Sequence, residues 1–524
     1  MSGVRSAESF AGANSCANEP VHLIGQIQDR GMLAALSEPD LVVRQVSANV
    51  SSLLGLHPDA VLGNSLEDLL GSQQFEVFRA RLLTTEDLIR ANPLRLFIGE
   101  CKLETNCVVH RQDGVLIAEF ELVNGVCSLE PPLNLAAHIA IPFSAMQRAT
   151  DIVDLCRVAA TDVQELSGFD RVMIYRFDAE WNGEVIAESA RSSRISYLGL
   201  RFPASDIPVQ ARRLLLTNPL RAIADAASAP VAIIPEIGPL TGRALDLSRS
   251  FLRSASPIHI EYLHNMAVRS SMTVSIIVED RLWGMIACHH PVARPVDCSI
   301  RAVCELLGGI LASQVEWRII NSALQSRLAS RKRLESYMAG MEASTVLFDT
   351  QALESPWLLA LLDADGLISR IDNVVLAQGA TVPEESLLPI ITKLKNFASR
   401  GIASSNMLGV LDESAESYAN QASGALYVGL SEGSSDYLLL LRQELIETVT
   451  WAGNPDKAVN ADTEGTLHPR TSFAAWRETV RGRSRPWTEL ELENARFLRE
   501  QMLRLQAAGV LRKTVQQVRE ITQS

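Results

Sequence analysis

The sequence predicts a multidomain α+β protein, and three observations carry that prediction. The chain has 524 residues and 47% hydrophobic content, enough for about three packed domains. Two stretches, "CVVHRQDGVLIAEFELV" and "SMTVSIIVEDRLWGMIACHH", read as β-hairpins, closed at Asp113-Gly114 and at a Glu-Asp turn. No proline occurs between Pro295 and Pro356, and apolar residues recur there at helical spacing, which predicts one helix much longer than average.

In chain order, residues 21–130 read as a small α/β unit in which "MLAALSEPDLVVRQVSANV" alternates strand-like apolar runs with a Pro-Asp turn. "EPPLN" at 130–134 reads as a linker, and "AMQRATDIVDLCRVAATDVQELSG" as the helix opening a second domain. Two strands follow, "RVMIYRF" and "GEVIAESA", joined by the turn "DAEWNG". After the long helix, "PWLLALLDADGLISRID" is strand-like around Asp365-Gly366. A second long helix ends the chain. Its stripe of Ala495, Leu498, Met502 and Leu505, continued by Leu511, Val515 and Val518, packs either on its own domain or against a second copy.

Composition excludes several function classes. A formal charge of -13 without a basic block argues against general nucleic-acid binding. No apolar run reaches the roughly 18 residues of a membrane span, and the polar first residues lack the apolar centre of a signal peptide. The eight cysteines are scattered without a C-x-x-C pair, so a reduced, cytoplasmic protein is expected. No P-loop or dinucleotide glycine motif, no G-x-S-x-G and no H-E-x-x-H occurs, so no catalytic residue is assigned. "CHH" at Cys288–His290 is no metal site, because a strand places Cys288 and His289 on opposite faces and zinc usually takes four convergent ligands.

One stretch, "RFPASDIP" at Arg201–Pro208, fixes the backbone firmly around a single acid. Read locally, Ser205 or Asp206 caps a helix with Pro208 in its first turn. A cap does not explain the other polar residues of this domain. Arg221 follows; Arg253, Ser256, His259 and Tyr262 share one segment; Ser271 and Thr273 lie on one strand face, and His289 on another strand. Together they suit a pocket in which two arginines with hydroxyls meet two carboxylates and histidines meet the polar edges of a ring system.

The combination of "RFPASDIP", "RSASPIHIEYLHNM" and "LWGMIACHH" closely resembles the bilin-binding GAF domain of bacteriophytochromes, which are red/far-red photoreceptors. The resemblance covers nearly the whole chain. It implies a tail at 1–20, a PAS domain at 21–130, a GAF domain at 135–315, a connecting helix at 316–345, a PHY domain at 346–505 and an output helix at 506–524. The PHY markers are "WAG" at Trp451–Gly453, "PRTSF" at Pro469–Phe473 and "WRE" at Trp476–Glu478. Three antiparallel-sheet domains joined by long helices are implied, with a figure-of-eight knot between PAS and GAF.

The resemblance also implies the cofactor, biliverdin IXα, held by a thioether from Cys16. Relatives that use phytobilins carry a cysteine directly before the pocket histidine, where this chain has Ile258. The backbone carbonyl of Asp206 is expected to accept from the pyrrole N–H groups, with Ile207 and Pro208 beside it and His259 nearby. Arg221 and Arg253, helped by Ser256, Ser271 and Thr273, are expected on the propionates. His289 is expected at the D-ring carbonyl, and Tyr175, Phe202 and Tyr262 around the D-ring. Light is expected to isomerise the bilin, converting the protein between Pr and Pfr-like states.

Signalling is expected through a PHY tongue at about 444–488 that changes from hairpin to helix. Its sequence supports both periods: Phe473, Trp476 and Val480 fit a helix face, whereas Thr471, Phe473, Ala475 and Arg477 fit a strand. The resemblance places Arg470 on the Asp206 carboxylate in one state and Ser472 in the other, with Trp476 a further tongue contact. A homodimer through the long helices is expected, with an output module such as a histidine kinase and its response regulator lying outside this chain. The last of nine histidines, His468, lies in the tongue, so no phospho-acceptor box follows and no kinase activity is expected of this chain. The competing reading is a GAF-containing regulator of a small ligand without photochemistry, against which Cys16 and "PRTSF" argue. Two departures stand out: Asp29-Arg30-Gly31 where many relatives have Pro-His-Gly, and Leu215 where many have a tyrosine whose hydroxyl joins the network around the acid.

Overall fold

The structure, a computed structural model, describes residues 19–84, 92–123, 132–191, 196–343, 356–371, 373–430, 435–455, 459–461, 467–504 and 507. The chain forms two compact units: Met1–Arg318 with Thr450–Trp476, and Ile319–Val449 with Arg477–Ser524. Cys16 and the stripe residues Leu505, Leu511, Val515 and Val518 lie outside the described residues.

The first sheet uses β1 (Gln26–Ile27), β2 (Gly31–Leu36), β3 (Val43–Ser47), β4 (Leu94–Ile98), β5 (Leu103–Gln112) and β6 (Val115–Leu122). Its seventh strand, β11 (Val231–Ile234), comes from the second domain, and the order is β1-β11-β3-β2-β6-β5-β4. The sequence GMLAAL of β2 is buried throughout because both faces are covered. Met32, Ala34 and Leu36 pack under the helix α1 (Ser72–Thr84), beside Phe78, while Leu33 and Ala35 pack against Leu245, Leu247 and Leu252. The β5–β6 turn is the one expected, with Asp113 and Gly114 at φ of 51° and 75°, the left-handed pair of a tight hairpin.

The first and second domains share one sheet and hydrogen-bond to one another. Gln28 bonds the carbonyl of Ala222 through its side chain and that of Leu252 through its backbone N–H, and Ser254 N–H bonds the carbonyl of Gln26. Arg301 clamps the same region, bidentate on Glu121 at 2.5 and 2.7 Å with its guanidinium 3.8 Å from the centre of the Phe251 ring.

The second domain opens with two helices where the sequence suggested one. These are α2 (Pro132–Arg148) and α3 (Ile152–Ser167). The break comes from Asp151, whose carboxylate accepts the N–H of Asp154 at 2.8 Å and caps α3. Residues Pro132–Asn134 of the expected linker already belong to α2.

The sheet contains β7 (Arg171–Phe177), β8 (Gly183–Ala190), β9 (Arg201–Phe202), β10 (Leu220–Ile223), β12 (Ser270–Val278) and β13 (Arg281–His290). They run β10-β12-β13-β7-β8-β9 and continue into β19 (Glu447–Ala452) and β22 (Ala475–Val480). The β12–β13 turn is also the one expected, with Glu279 and Asp280 at φ of 49° and 58°. Two further helices, α4 (Val209–Thr217) and α5 (Pro257–Asn265), lie between these strands.

The long helix is α6 (Cys298–Ala343), 46 residues. Its Cys298–Ser336 stretch is long and apolar enough to cross a membrane by length and composition. Its apolarity has a packing reason at the start: Val303, Leu307, Leu311 and Val315 recur every fourth residue and are buried in the core against α3 and the sheet.

In the second unit, α7 (Pro356–Leu362) is helical and the strand begins only at Gly366, so the apolar run read as strand-like divides between the two. A five-stranded sheet follows, ordered β15-β14-β18-β17-β16, from β14 (Gly366–Ile371), β15 (Val374–Gly379), β16 (Ile402–Ser405), β17 (Gly424–Gly429) and β18 (Tyr437–Arg442). The helix α8 (Glu384–Phe397) packs on one face, contributing Ile390, Ile391 and Leu394. The terminal helix α9 (489–504) buries Ala495, Leu498 and Met502 against Leu367, Leu426 and Leu440 on the other face. Its described stripe therefore packs on its own unit. Among the described residues between β18 and α9, the regular elements are the strands β19 and β22 and the small antiparallel pair β20 (Val459–Ala461) and β21 (Leu467–Pro469).

Candidate functional site

The second-domain sheet sorts its side chains by the two-residue period of a strand. Val172, Ile174, Met272, Val274, Ile286 and Cys288 enter the helix-side core. Met173, Tyr175, Met285 and Ala287 enter a second cluster on the opposite face, together with Phe202 and Leu263. Cys288 and His289 are thus separated by the sheet. Ser271 and Thr273 share one face of β12, paired with Ile223 and Arg221 of β10.

Aromatic packing sets one wall. The Tyr175 ring lies 5.7 Å from that of Phe202, centre to centre. A glycine makes this possible, since a Cβ on Gly183 would fall 1.6 Å from Tyr175 Cζ. Helix α5 supplies another wall. Ser256 occupies its N-cap and Pro257 its first turn, which puts His259 and Tyr262 three residues apart on one face. Their rings are parallel within 10° at 6.3 Å.

The polar groups are held where charge is expensive. Burial, with the nearby Arg221 cation, pushes His259 down to about 4. Burial, with Arg171 and His259, pushes His289 down to about 3, and His289 Nδ1 has no protein partner. Both imidazoles are neutral at neutral pH. Arg221 rests on the backbone carbonyls of Phe251, at 2.9 Å, and Arg253, and burial pushes its pKa well down. Arg253 donates to the carbonyl of Val21 at 3.0 Å, its Nε is unpartnered, and burial lowers it to about 10. Ser256 Oγ donates to the Glu19 carboxylate at 3.0 Å. Two desolvated guanidiniums held mainly by carbonyls favour an anionic partner.

Asp206 does not cap a helix. Residues Ala204–Asp206 form a single 3-10 turn, Pro208 is the N-cap of α4, and neither makes a side-chain cap bond. The carboxylate is engaged elsewhere: Tyr262 donates its hydroxyl to Asp206 Oδ2 at 2.9 Å, and Arg470 Nη2 pairs with the same oxygen. The side chains of Asp206 and Arg470 are 5% and 3% exposed, so this is a buried ion pair. Arg470 also donates to the carbonyl of Ala452, and its cation lies 4.8 Å from the Phe473 ring and 5.4 Å from the Phe202 ring. Asn265 Nδ2 holds the Arg470 carbonyl at 3.2 Å. Burial lifts the Asp206 pKa to about 6, outweighing the attraction of Arg470 and the bond from Tyr262.

The remaining residues fall as follows. Ile207 is partly buried against the aromatic cluster, as is Leu215, whose carbonyl accepts from Ser275 Oγ at 2.7 Å. Ser472 is exposed and Trp476 half-buried, and the Asp206 carboxylate pairs with Arg470. The structure adds residues that the motifs did not flag. These are Arg212 and Asn182, which hold the backbone before Pro208; Tyr262, already in the motif, gains a second partner in the acid. Their helical or turn positions carry no local signal of these contacts.

A three-domain chain whose first two domains share a sheet, with a buried acid held by Tyr262 and by the distant Arg470, is what fold and site define together. Three family profiles match along it: PAS fold at 16–123, GAF domain at 151–319 and Phytochrome region at 329–509. A bacteriophytochrome of Xanthomonas campestris is 33% identical over 503 residues, covering 92% of this chain and 77% of that protein. Cyanobacterial phytochrome B of Nostoc is 35% identical over 494 residues, covering 94% of this chain and 66% of that protein. The crystal structure of a bacteriophytochrome from R. palustris matches with a TM-score of 0.84 at 34% identity, covering 94% of this chain and 99% of that one. The chain belongs to the phytochromes, red/far-red photoreceptors, and comprises their PAS-GAF-PHY photosensory core. It spans just under two thirds of the cyanobacterial relatives, 66% of one and 64% of another.

Proposed function

We propose that this chain senses red and far-red light through biliverdin IXα joined by a thioether to Cys16, and reports its state through the tongue. The observation that carries this reading is the shared Asp206 carboxylate, held at once by Tyr262 of the pocket helix and Arg470 of the tongue. A change on either side alters the other's partner.

The residues present suit a bilin. The unpartnered His289 Nδ1 and Arg253 Nε are buried polar atoms that a bound ligand could satisfy, and Gly183 lets an aromatic wall form. Arg221 and Arg253 would hold the propionates, with Ser256, Ser271 and Thr273 as hydroxyl donors. His259, neutral in its buried site, would keep a hydrogen-bonding edge toward the ring nitrogens without adding a cation. Neutral His289 would hold the D-ring carbonyl, and Tyr175, Phe202 and Tyr262 would bound the D-ring. When bound, the bilin supplies light absorption and isomerisation about its last methine bridge. Movement of Tyr262 would weaken its bond to Asp206 and leave the Arg470 pair less favourable. Ser472 would then replace Arg470 as the tongue refolds from hairpin to helix. Ile258, directly before His259, supports biliverdin over a phytobilin.

The full protein would work as a cytoplasmic homodimer joined through long helices, passing its state to an output module such as a histidine kinase with a response regulator. Adding biliverdin to purified apoprotein tests the core of the proposal. Expected are a red-absorbing species, a zinc-fluorescent band on a denaturing gel that Cys16→Ser abolishes, and a red/far-red light-minus-dark difference spectrum. No red-absorbing species would overturn the photosensory reading, and a surviving band in Cys16→Ser would overturn Cys16 as the attachment site.

A further inference from the structure

The loop carrying Asp206 is gripped from outside the pocket. Arg212, six residues on and in the first turns of α4, reaches back with Nη1 to the carbonyls of Ile207 at 2.7 Å and Ala204 at 3.3 Å. Its guanidinium lies 4.7 Å from the ring centre of Trp181. Trp181 sits in the β7–β8 turn at a φ of 68°, a left-handed conformation that costs a bulky residue energy and persists only when its surroundings require it. The next residue, Asn182, accepts the Ala204 N–H on its Oδ1 at 3.2 Å. Asn182 is itself fixed, its N–H and Nδ2 bonding the two oxygens of Asp178 at 2.8 and 3.1 Å. Asp206 N–H bonds the Pro203 carbonyl at 3.0 Å. The backbone on both sides of Asp206 is therefore tied to one hairpin turn through two neighbouring residues.

We propose that Arg212, seated on Trp181, is a positioning residue that holds the Asp206 backbone in place while the Asp206 carboxylate changes partner. The proposal rests on the photosensory reading. It assigns the backbone and the side chain of Asp206 to independent restraints. The backbone is held by Arg212 and Asn182 and stays in register with the pocket. The carboxylate answers to Tyr262 and Arg470. The planar face of arginine matters here, because Nη1 reaches two carbonyls while the flat guanidinium stacks on an aromatic ring, a stacking that the compact, strongly hydrated ammonium of lysine does not reproduce.

Two variants test this. Arg212→Lys keeps the charge and loses the planar group that stacks on Trp181. Trp181→Gly removes the ring and relieves the left-handed backbone. Amide hydrogen exchange on the apoprotein is expected to show protection at Ala204 and Asp206 falling about tenfold in both, with β12 and β13 unchanged. In the biliverdin-loaded protein, the pH at which the red band bleaches is expected to fall by about one unit in both, because an unfixed acceptor holds the ring proton less well. Unchanged exchange at Ala204 and Asp206 together with unchanged bleaching would overturn the proposal. So would loss of protection spread evenly over the sheet in both variants, which marks a folding role only. If the wild-type protein takes up no biliverdin, the photosensory reading fails, and the exchange result on the apoprotein still decides whether Arg212 holds the loop.

Discussion

The Tyr175 ring occupies the space where residue 183 would carry a side chain, with its Cζ 1.6 Å from the position of a Gly183 Cβ. Gly183 pairs across the sheet with Phe177 and, on its other side, with Phe202. The ring cannot stay where it is if the glycine gains a methyl. Gly183→Ala is expected to push Tyr175 off Phe202 and toward the pocket, destabilising the protein by about 1–3 kcal/mol and lowering biliverdin uptake several-fold. Adding Tyr175→Ala should restore most of the stability and not the spectrum. Urea unfolding and absorbance titration measure the two effects, and wild-type uptake in Gly183→Ala would refute the steric account.

Asp206 gives a pH dependence whose sign is fixed by its shift. Its folded pKa is raised to about 6 from 3.8, chiefly by burial. The fold thus holds this proton more tightly than the unfolded chain does. That contribution is complete below about 4 and is lost as pH rises through about 6, and it amounts to an order of 3 kcal/mol. Above about 6 the carboxylate is ionised and paired with Arg470. Asp206→Asn is expected to flatten the change in stability between pH 4 and 6 and to remove any step near pH 6 in photoproduct yield. Denaturation at a series of pH values reads the first, and difference spectra the second.

The Arg301–Glu121 pair joins the first domain to the start of the long helix. Removing one partner strands a partly buried charge, so Arg301→Ala is expected to cost about 3 kcal/mol. The double variant Arg301→Ala/Glu121→Ala should cost less than the single one, because no charge is left alone. Equal costs in a double-mutant cycle would mean that stacking on Phe251, and not the ion pair, is what matters at this position.

Asp151 separates α2 from α3. Asp151→Ala should destabilise the protein by about 1 kcal/mol, the usual value of a lost N-cap. Biliverdin uptake should not change, since the contacts of the Asp151 carboxylate are with Thr150 and Asp154. A spectral change in this variant would show that the two helices communicate with the site.

Much of the fold was legible because the signals were local. Asp113-Gly114 and Glu279-Asp280 mark their hairpins by residues that tolerate positive φ, and the long helix is announced by spacing and by the lack of proline. The failures were also local. The short apolar run of α7 reads equally as strand or helix, and the Asp151 cap is hidden inside a continuous helical pattern. At the site, residue types were legible and partners were not. Asp206 looked like a cap because a local reading sees only the next few residues, whereas Tyr262 lies 56 and Arg470 264 positions away. Arg212 belongs to none of the motifs, and nothing in sequence shows that it turns back onto carbonyls.

The insertion of β11 between β1 and β3 bears on the order in which the protein can be made. Gln28 and Ala222, which hydrogen-bond between the two domains, are 194 positions apart. The first sheet is made early on the ribosome, yet its inner strand is translated long after its neighbours. Until Val231–Ile234 emerges, β1 and β3 each keep an unpaired edge, of the kind that invites wrong partners. The N-terminal domain is thus not a separable cassette. Grafting it alone, or exchanging the second domain for another, removes a strand from its own sheet.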